Sequence, residues 1–277
     1  MFGHQENSVR ELCLDFMTAM EVSPPTLVEI AAENGIPFIS LPIRVASDRP
    51  NWGLVGDTEM RRDTGRRCRE LGVGVDILES FYIRPDCSIP ALRPAFESGA
   101  WLGARRVVMV TQDEDAHRLT DNAGRFCDVA TEYGFDVLLE YTPRMTQKTL
   151  AEARAFLDRV GHPRLSVEAD ALHTFRGGTP LAELAASPPG LIRRIQLCDA
   201  PAEEPPEGGL FEAVHARMVP GEGALDLHGF LAAAPKDIVV GLEVPMTGLK
   251  DAGVSAAERV QRVSTGARRL LREVEAG

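Results

Sequence analysis

LSVEADALH, residues 165–173, begins like a buried strand and ends with polar side chains that a closed apolar core rarely holds. Burying a carboxylate without a partner costs on the order of several kcal/mol. Glu168 and Asp170 therefore either lie in water at the end of a strand or contact a positive charge. Side chains alternate across a strand, so these two acids share one face, and Asp170 is nearer to the C-terminal end.

Short apolar runs of this kind recur eight times, separated by longer segments with helical spacing. This alternation predicts an α/β fold, a (β/α)8 TIM barrel, with residues 1–277 as a single domain. An open doubly wound sheet is the alternative, but no GxGxxG motif follows the first strand. The predicted strands span residues 11–18, 38–43, 73–80, 105–112, 135–143, 165–173, 192–200 and 236–245.

The composition indicates a cytoplasmic enzyme that acts on small molecules. A net charge of −11 argues against nucleic acid or an anionic membrane as a partner. The five cysteines are scattered without a CxxC pair, which is typical of a reduced compartment. No stretch approaches the ~18 apolar residues of a membrane span. The opening MFGHQENSVREL lacks the basic end and apolar run of a signal peptide.

Polar residues close four consecutive predicted strands, the fifth to the eighth. In a TIM barrel the active site lies at the C-terminal ends of the strands. A single acid at a strand end is usually solvated or salt-bridged, but converging carboxylates repel each other unless a cation balances them. Oxygen donors favour Mg²⁺ or Mn²⁺ over Zn²⁺, with Co²⁺ and Zn²⁺ as alternatives. The predicted metal ligands are Glu140 (VLLEYTP), Asp170 (EADALH), Gln196 (IQLCDA) and Glu243 (GLEVP).

The order and spacing of LEYTP, DALH, IQLCDA, the Arg before PGEGALD, and GLEVP resemble a known family. They are similar to the xylose isomerase-like TIM barrels of the sugar phosphate isomerase/epimerase superfamily, most strongly over about residues 135–245. The resemblance implies one divalent metal ion on the same four ligands. It also implies that His173 and Arg217 bind the substrate.

Such a centre would stabilise an enediolate, so the resemblance implies a metal-dependent isomerase or epimerase for a small sugar or hydroxy-carbonyl compound. Glu140 and Glu243 would exchange the proton, and His173 would assist at the substrate. A dehydratase of the 3-dehydroshikimate or inosose type is the alternative. Gln196 is compatible with both, whereas some dehydratases carry His at the position of Thr142. A barrel that binds a sugar without turnover is a third hypothesis.

The expected partners follow from the same hypotheses. We expect a small-molecule substrate, no nucleic acid and no membrane, and a homodimer is an option because barrels of this kind often dimerise. The endonuclease branch of the superfamily needs a richer set of histidines than the six found here. The long segment 201–221 is expected to cover the pocket or to contact a second subunit.

Several further residues receive two interpretations each. Arg217 could bind substrate or be an ordinary surface arginine, and Asp199 could orient Arg217 or Gln196 or simply cap a turn. Trp52 and the Phe81-Tyr82 pair could form an apolar wall for the substrate, or they could pack in the core or on the surface.

Overall fold

Eight parallel strands close into a barrel in chain order in the computed structural model, which describes residues 10–43 and 51–276. The predicted (β/α)8 barrel is therefore confirmed. Residues 1–9, which hold most of the segment considered above as a signal peptide, lie outside the described residues. The strands are β1 (Leu12–Leu14), β2 (Phe38–Pro42), β3 (Gly74–Ile83), β4 (Arg106–Thr111), β5 (Asp136–Glu140), β6 (Leu165–Asp170), β7 (Ile192–Leu197) and β8 (Val239–Leu242).

Helices connect the strands, and several begin at a side-chain cap. Thr58, Asp115 and Thr149 each accept a hydrogen bond from a backbone N–H in the first turn of the helix that follows. Within the described part of the chain, no helix is long and apolar enough to cross a bilayer. The helices are α1 (Pro24–Glu33), α2 (Glu59–Leu71), α3 (Arg93–Trp101), α4 (Ala116–Glu132), α5 (Leu150–Val160), α6 (Ala171–Arg176), α7 (Leu181–Ala185), α8 (Gly209–His215), α9 (Leu227–Ala233), α10 (Thr247–Asp251) and α11 (Ala256–Ala276).

The sixth predicted strand was too long, and the correction matters for the site. Strand β6 ends at Asp170, and α6 begins at Ala171, so His173 belongs to a helix. The Asp170 Oδ1 atom accepts a hydrogen bond of 2.9 Å from the His173 N–H, which is an N-cap. This cap turns the chain sharply and holds Asp170 and His173 close together at the end of the strand.

The main core lies between the barrel and the helices, and it takes up one of the predicted substrate-wall residues. Phe81 is 1% exposed and packs against Phe96 and Phe126 with ring centroids 5.1 and 5.4 Å away. Trp52 is half-buried and also packs against the main core. The wall hypothesis is therefore wrong for Phe81, because its ring faces the helix layer.

The centre of the barrel holds charged groups. Arg194 on β7 is fully buried and forms ion pairs with Asp15, Asp76 and Glu168, which are fully buried as well. The Arg194 Nε atom lies 3.0 Å from Asp76 Oδ2. We call these four residues the Arg194 cluster. Its members lie on β3, β6 and β7 and directly after β1, so the ion pairs form only when the barrel brings these strands together.

A glycine on β8 makes room for the Arg194 cluster, which yields a stability prediction. A Cβ atom on Gly241 would lie 2.6 Å from Arg194 Nη2 and even closer to Asp15 Oδ2. We expect Gly241→Ala to lower the free energy of unfolding by about 3–5 kcal/mol, because a partner must leave a buried ion pair. Urea unfolding monitored by circular dichroism measures this change.

Gly124→Ala in α4 is the matched control, because a Cβ atom there meets no other group within 4 Å. This substitution should raise the free energy of unfolding by roughly 0.5–1 kcal/mol through the helix preference for alanine. Equal stabilities of the two variants would contradict the packing described around Gly241.

Candidate metal centre

Three carboxylates converge where β5, β6 and β8 end. Glu140, Asp170 and Glu243 each offer one oxygen, and these atoms all lie within 4.8 Å of one another. Asp170 and Glu243 are buried, while Glu140 is partly exposed. Glu140 and Asp170 are the last residues of their strands, and Glu243 directly follows β8. The structure thus brings together three of the four predicted ligands, which we call the carboxylate group.

Gln196, the fourth predicted ligand, lies beside Asp170 in the register of β6 and β7. Its Nε2 atom donates a hydrogen bond of 3.2 Å to Asp15 Oδ2. Its Oε1 atom is buried and has no hydrogen-bond partner. Buried acceptors without partners are uncommon in native proteins. A divalent cation would satisfy this oxygen, so the donor set of three carboxylates and one amide oxygen fits Mg²⁺ or Mn²⁺.

Arg217 lies inside the site, so the interpretation as a surface arginine is wrong. It is 4% exposed, with Nη1 2.6 Å from Asp170 Oδ2 and Nη2 2.7 Å from Glu243 Oε2. Its Nε atom donates to the carbonyl oxygen of Ala213 at 2.9 Å, which fixes the guanidinium plane. Three carboxylates and one guanidinium leave an excess of two negative charges. One divalent cation would balance this excess.

His173 lies next to the carboxylate group on the first turns of α6. Its Nε2 atom is 3.6 Å from Glu140 Oε1, and its Nδ1 atom is buried without a partner. Burial lowers the pKa of His173 to about 3, against the opposing effect of Asp170. The imidazole is therefore neutral at pH 7, and can both donate and accept a hydrogen bond to a bound molecule.

The carboxylates differ in their affinity for protons. Burial, followed by the negative charges of Glu243 and Glu168, raises the pKa of Glu140 well above its ordinary value. Burial also acts to raise the pKa of Asp170, but Arg217 and His173 outweigh it, and the pKa is lowered. Without a bound cation, Asp170 therefore loses its proton at a lower pH than Glu140 does. This difference suits Glu140 for proton transfer.

Glu79 is a buried acid near the site that sequence reasoning missed. It lies on β3, is 2% exposed, and its Oε1 atom has no hydrogen-bond partner. Burial and the charges of Asp15 and Glu243 raise its pKa well above the ordinary value. The signal was present, because Glu79 interrupts the apolar run VGVDILES just as Glu140 interrupts VLLEYTP.

Asp199 does not orient Arg217 or Gln196, so the turn-capping interpretation describes it better. Its carboxylate accepts backbone N–H bonds from Ala200, Gly221 and Leu225 at 2.9, 2.9 and 3.1 Å. These bonds fold the segment that follows β7 onto the strand end. Within that segment, the predicted cover 201–221, the structure shows helix α8, and Arg217 follows it two residues later.

Solved structures with the same fold include metalloproteins and enzymes. An IolI protein with a bound zinc atom is 21% identical with a TM-score of 0.78, covering 95% of this chain and 98% of its own. The probable 3-DHS dehydratase AsbF of Bacillus anthracis is 17% identical with a TM-score of 0.71, covering 90% and 97%. A D-allulose 3-epimerase of Methylomonas sp. in complex with D-allulose is 14% identical with a TM-score of 0.69, covering 95% and 97%. At these identities the likeness shows the fold alone.

A search of curated proteins found no significant match to the sequence. A family model gives the decisive comparison. Residues 28–270 match the model described as xylose isomerase-like TIM barrel, which covers most of the chain. The resemblance found in the strand-end motifs is therefore confirmed, and the protein belongs to the xylose isomerase-like TIM barrel family.

Proposed function

We propose that this protein is a metal-dependent isomerase or epimerase of a small sugar or other hydroxy-carbonyl compound. The observation that carries the proposal is the carboxylate group together with the unpartnered Gln196 Oε1 atom. Both features lie at the C-terminal ends of the barrel strands, where TIM-barrel enzymes have their active sites. The net charge of −11 supports a small-molecule substrate over nucleic acid.

Glu140, Asp170, Gln196 and Glu243 would hold the cation. Mg²⁺ or Mn²⁺ fits these oxygen donors best, with Co²⁺ or Zn²⁺ as alternatives, and the IolI neighbour contains zinc. A divalent cation held by these residues would polarise a carbonyl group and make the hydrogens on the adjacent carbon more acidic. The excess of two negative charges left by Arg217 and the carboxylates supports a doubly charged ion.

Glu140 and Glu243 are the groups proposed to move the proton. They come from strands β5 and β8, so they approach the space above the barrel from different directions. One carboxylate would take the proton from the carbon next to the carbonyl, and the same group, or the other carboxylate in its protonated form, would deliver a proton to a different carbon or face. The neutral His173 and the guanidinium of Arg217 orient the substrate oxygens by hydrogen bonds.

A dehydratase is the second candidate function, and one observation favours it. The chain shares its fold with the probable 3-DHS dehydratase AsbF, and Glu140 and Glu243 offer two carboxylates, one of which could pass a proton to a leaving hydroxyl group. The first proton removal is the same in both reactions. If the hydroxyl on the next carbon then leaves as water, the product is unsaturated. It is lighter than the substrate by roughly 18 mass units, the mass of one water molecule.

Metal binding tests the proposed ligands directly. We expect the purified protein to bind about one equivalent of Mn²⁺, and Glu243→Gln to bind it at least about tenfold more weakly because one anionic oxygen is lost. Calorimetric titration and elemental analysis measure both quantities. Asp113→Asn is the matched control, because Asp113 is buried after β4 but pairs with Arg118. Equal Mn²⁺ affinities of all three proteins would refute the ligand assignment.

Solvent exchange tests the chemistry. The Mn²⁺-loaded protein, incubated in D₂O with hydroxy-ketones of increasing length, should place deuterium on the carbon next to the carbonyl. Replacing Glu140 by Gln should slow this exchange by about 10²–10⁴, the usual contribution of a general base. Proton NMR follows the exchange, and the product mass separates an isomer from a dehydrated product. A metal-loaded protein that binds a hydroxy-ketone without any exchange would support the sugar-binding alternative instead.

Arg217 provides a further prediction, because it already forms ion pairs with two carboxylates of the centre. Arg217→Met should lower the Tm in the absence of metal, since a buried ion pair is broken. The rise in Tm on adding Mn²⁺ should be larger in the variant than in the native protein, because the cation is then the remaining counter-charge. Differential scanning calorimetry with and without Mn²⁺ measures this difference.

Arg176→Met is the control for the Arg217 variant. Arg176 forms an ion pair with the buried Glu212 at 2.7 Å, outside the carboxylate group. Its loss should lower the Tm without enlarging the effect of Mn²⁺. If adding Mn²⁺ raises the Tm of Arg217→Met no more than that of Arg176→Met, the charge balance described for the centre is contradicted.

A further inference from the structure

A cavity of about 700 Å³ opens among the segments that follow β1, β7 and β8 at the C-terminal face of the barrel. This volume falls within the range of roughly 300–1,000 Å³ that small-molecule sites occupy. Apolar side chains make up much of its wall. They include Met17, Met20, Tyr82, Leu210, Phe211 and Met246.

Two chain segments line this cavity and also carry residues of the metal centre. Helix α8 contributes Leu210 and Phe211 to the cavity, and the same segment continues to Arg217. The chain after β8 runs from Glu243 through Pro245, which also lines the cavity. The Arg217 N–H donates to the Pro245 carbonyl oxygen at 3.1 Å, which ties the two segments together. The cavity wall and the metal centre are therefore parts of one local structure.

Thr18 links the cavity to the metal centre from the side of β1. Its Oγ1 atom forms hydrogen bonds with both chain neighbours of Glu243. It donates to the Leu242 carbonyl oxygen at 2.6 Å and accepts from the Val244 N–H at 2.8 Å. Thr18 itself lines the cavity. A molecule whose polar end reaches Glu243 would therefore have this cavity next to it.

Two large apolar side chains at the cavity are exposed. Leu210 is 63% exposed and Phe211 is 40% exposed, although they are neighbours on the first turn of α8. Adjacent exposed apolar side chains beside a cavity are typical of a site that a ligand or partner covers. A small polar sugar would not cover them, because its surface is mostly hydroxyl groups.

Three of the four charged side chains that line the cavity, Glu21, Lys250 and Arg259, have ion-pair partners of their own, and the fourth, Glu207, is exposed. Glu21 forms an ion pair with Arg259, and Lys250 forms one with Asp251 at 2.8 Å. The His215 Nδ1 atom shares a hydrogen bond of 3.0 Å with Thr247 Oγ1. Groups paired in this way offer little to the hydroxyl groups of a sugar chain. The cavity is thus suited to an apolar group.

We propose that this cavity is a subsite for an apolar part of the substrate. The substrate class is a hydroxy-carbonyl compound that carries an aryl or branched alkyl group, with its oxygens at the metal centre. This inference rests on the proposed function, since it places the polar end of the substrate on the carboxylate group. The gain in affinity comes from removing the apolar group and the Leu210 and Phe211 side chains from water.

A pair of metal-binding probes tests the subsite without requiring turnover. Acetohydroxamate and 4-phenylbutyrohydroxamate carry the same metal-binding head, and only the second has an aryl group. Calorimetric titration of the Mn²⁺-loaded protein should show that the phenyl probe binds about tenfold more tightly or better. The Leu210→Asn and Phe211→Asn variants should each lose most of this gain while retaining their affinity for acetohydroxamate.

Leu71→Asn is the matched control, because Leu71 is a 42% exposed leucine at the end of α2, outside the cavity lining. It should keep the full gain. Equal binding of both probes, or a gain that survives in both α8 variants, would overturn the subsite while leaving the metal centre intact. If neither probe binds in a metal-dependent way, the proposed function fails together with the subsite.

Self-association is the competing use of the same surface, and sedimentation velocity distinguishes it. The subsite predicts that Leu210→Asn leaves the oligomeric state unchanged. A native dimer that dissociates in this variant, combined with equal binding of both probes, would assign Leu210 and Phe211 to contact with a second copy of the chain and overturn the subsite.

Discussion

The ion pairs of Arg194 inside the barrel are the interaction on which the other parts of the structure depend. One guanidinium meets three fully buried carboxylates, from Asp15, Asp76 and Glu168. Breaking such a cluster exposes an unpaired charge to a low-dielectric interior, which costs far more than a surface ion pair. The cluster therefore favours the closed barrel over arrangements in which these strands are apart. Because Gln196 lies two residues beyond Arg194 on β7, the same constraint fixes the position of Gln196 along the barrel axis at the candidate metal centre.

The C-terminal ends of the strands also hold buried carboxylates paired with an arginine, but the balance of positive and negative charge differs. Arg217 forms ion pairs with Asp170 and Glu243, and it is the one arginine paired with the carboxylate group in the described structure. The Gln196 Oε1 atom has no hydrogen-bond partner. In the Arg194 cluster, further arginines at the edge of the barrel, such as Arg105 at 2.6 Å from Asp76, add positive charge. The lower layer is thus closer to charge balance, and the upper layer keeps a negative excess. The two layers therefore differ in net charge, and the upper layer is the one that contains the candidate metal centre.

The barrel and most of the candidate site could be predicted from the sequence, because both depend on local patterns. Eight apolar runs predicted the eight strands, and three acids and one glutamine that close four of them predicted the site in which the three carboxylates now converge. The pairing of Arg217 could not be predicted, since 47 residues separate it from Asp170 and only the folded chain brings them together. The predicted sixth strand is longer than β6, because Asp170 caps α6 and ends the strand there. Apolar patterning does not reveal where a strand gives way to a helix. Glu79 was overlooked although it fits the same pattern.

The cap that Asp170 provides for α6 limits how this residue can bind an ion. One carboxylate oxygen, Oδ1, accepts the His173 N–H, and the other, Oδ2, pairs with Arg217. Bidentate binding of a cation by Asp170 would compete with this cap for Oδ1, whereas monodentate binding through Oδ2 would leave the cap in place. Large ions such as Ca²⁺ reach coordination numbers of about 6–8, often with bidentate carboxylates, whereas Mg²⁺ takes single oxygens in an octahedron. With a cation bound at this site, the helix cap would therefore disfavour the larger ion.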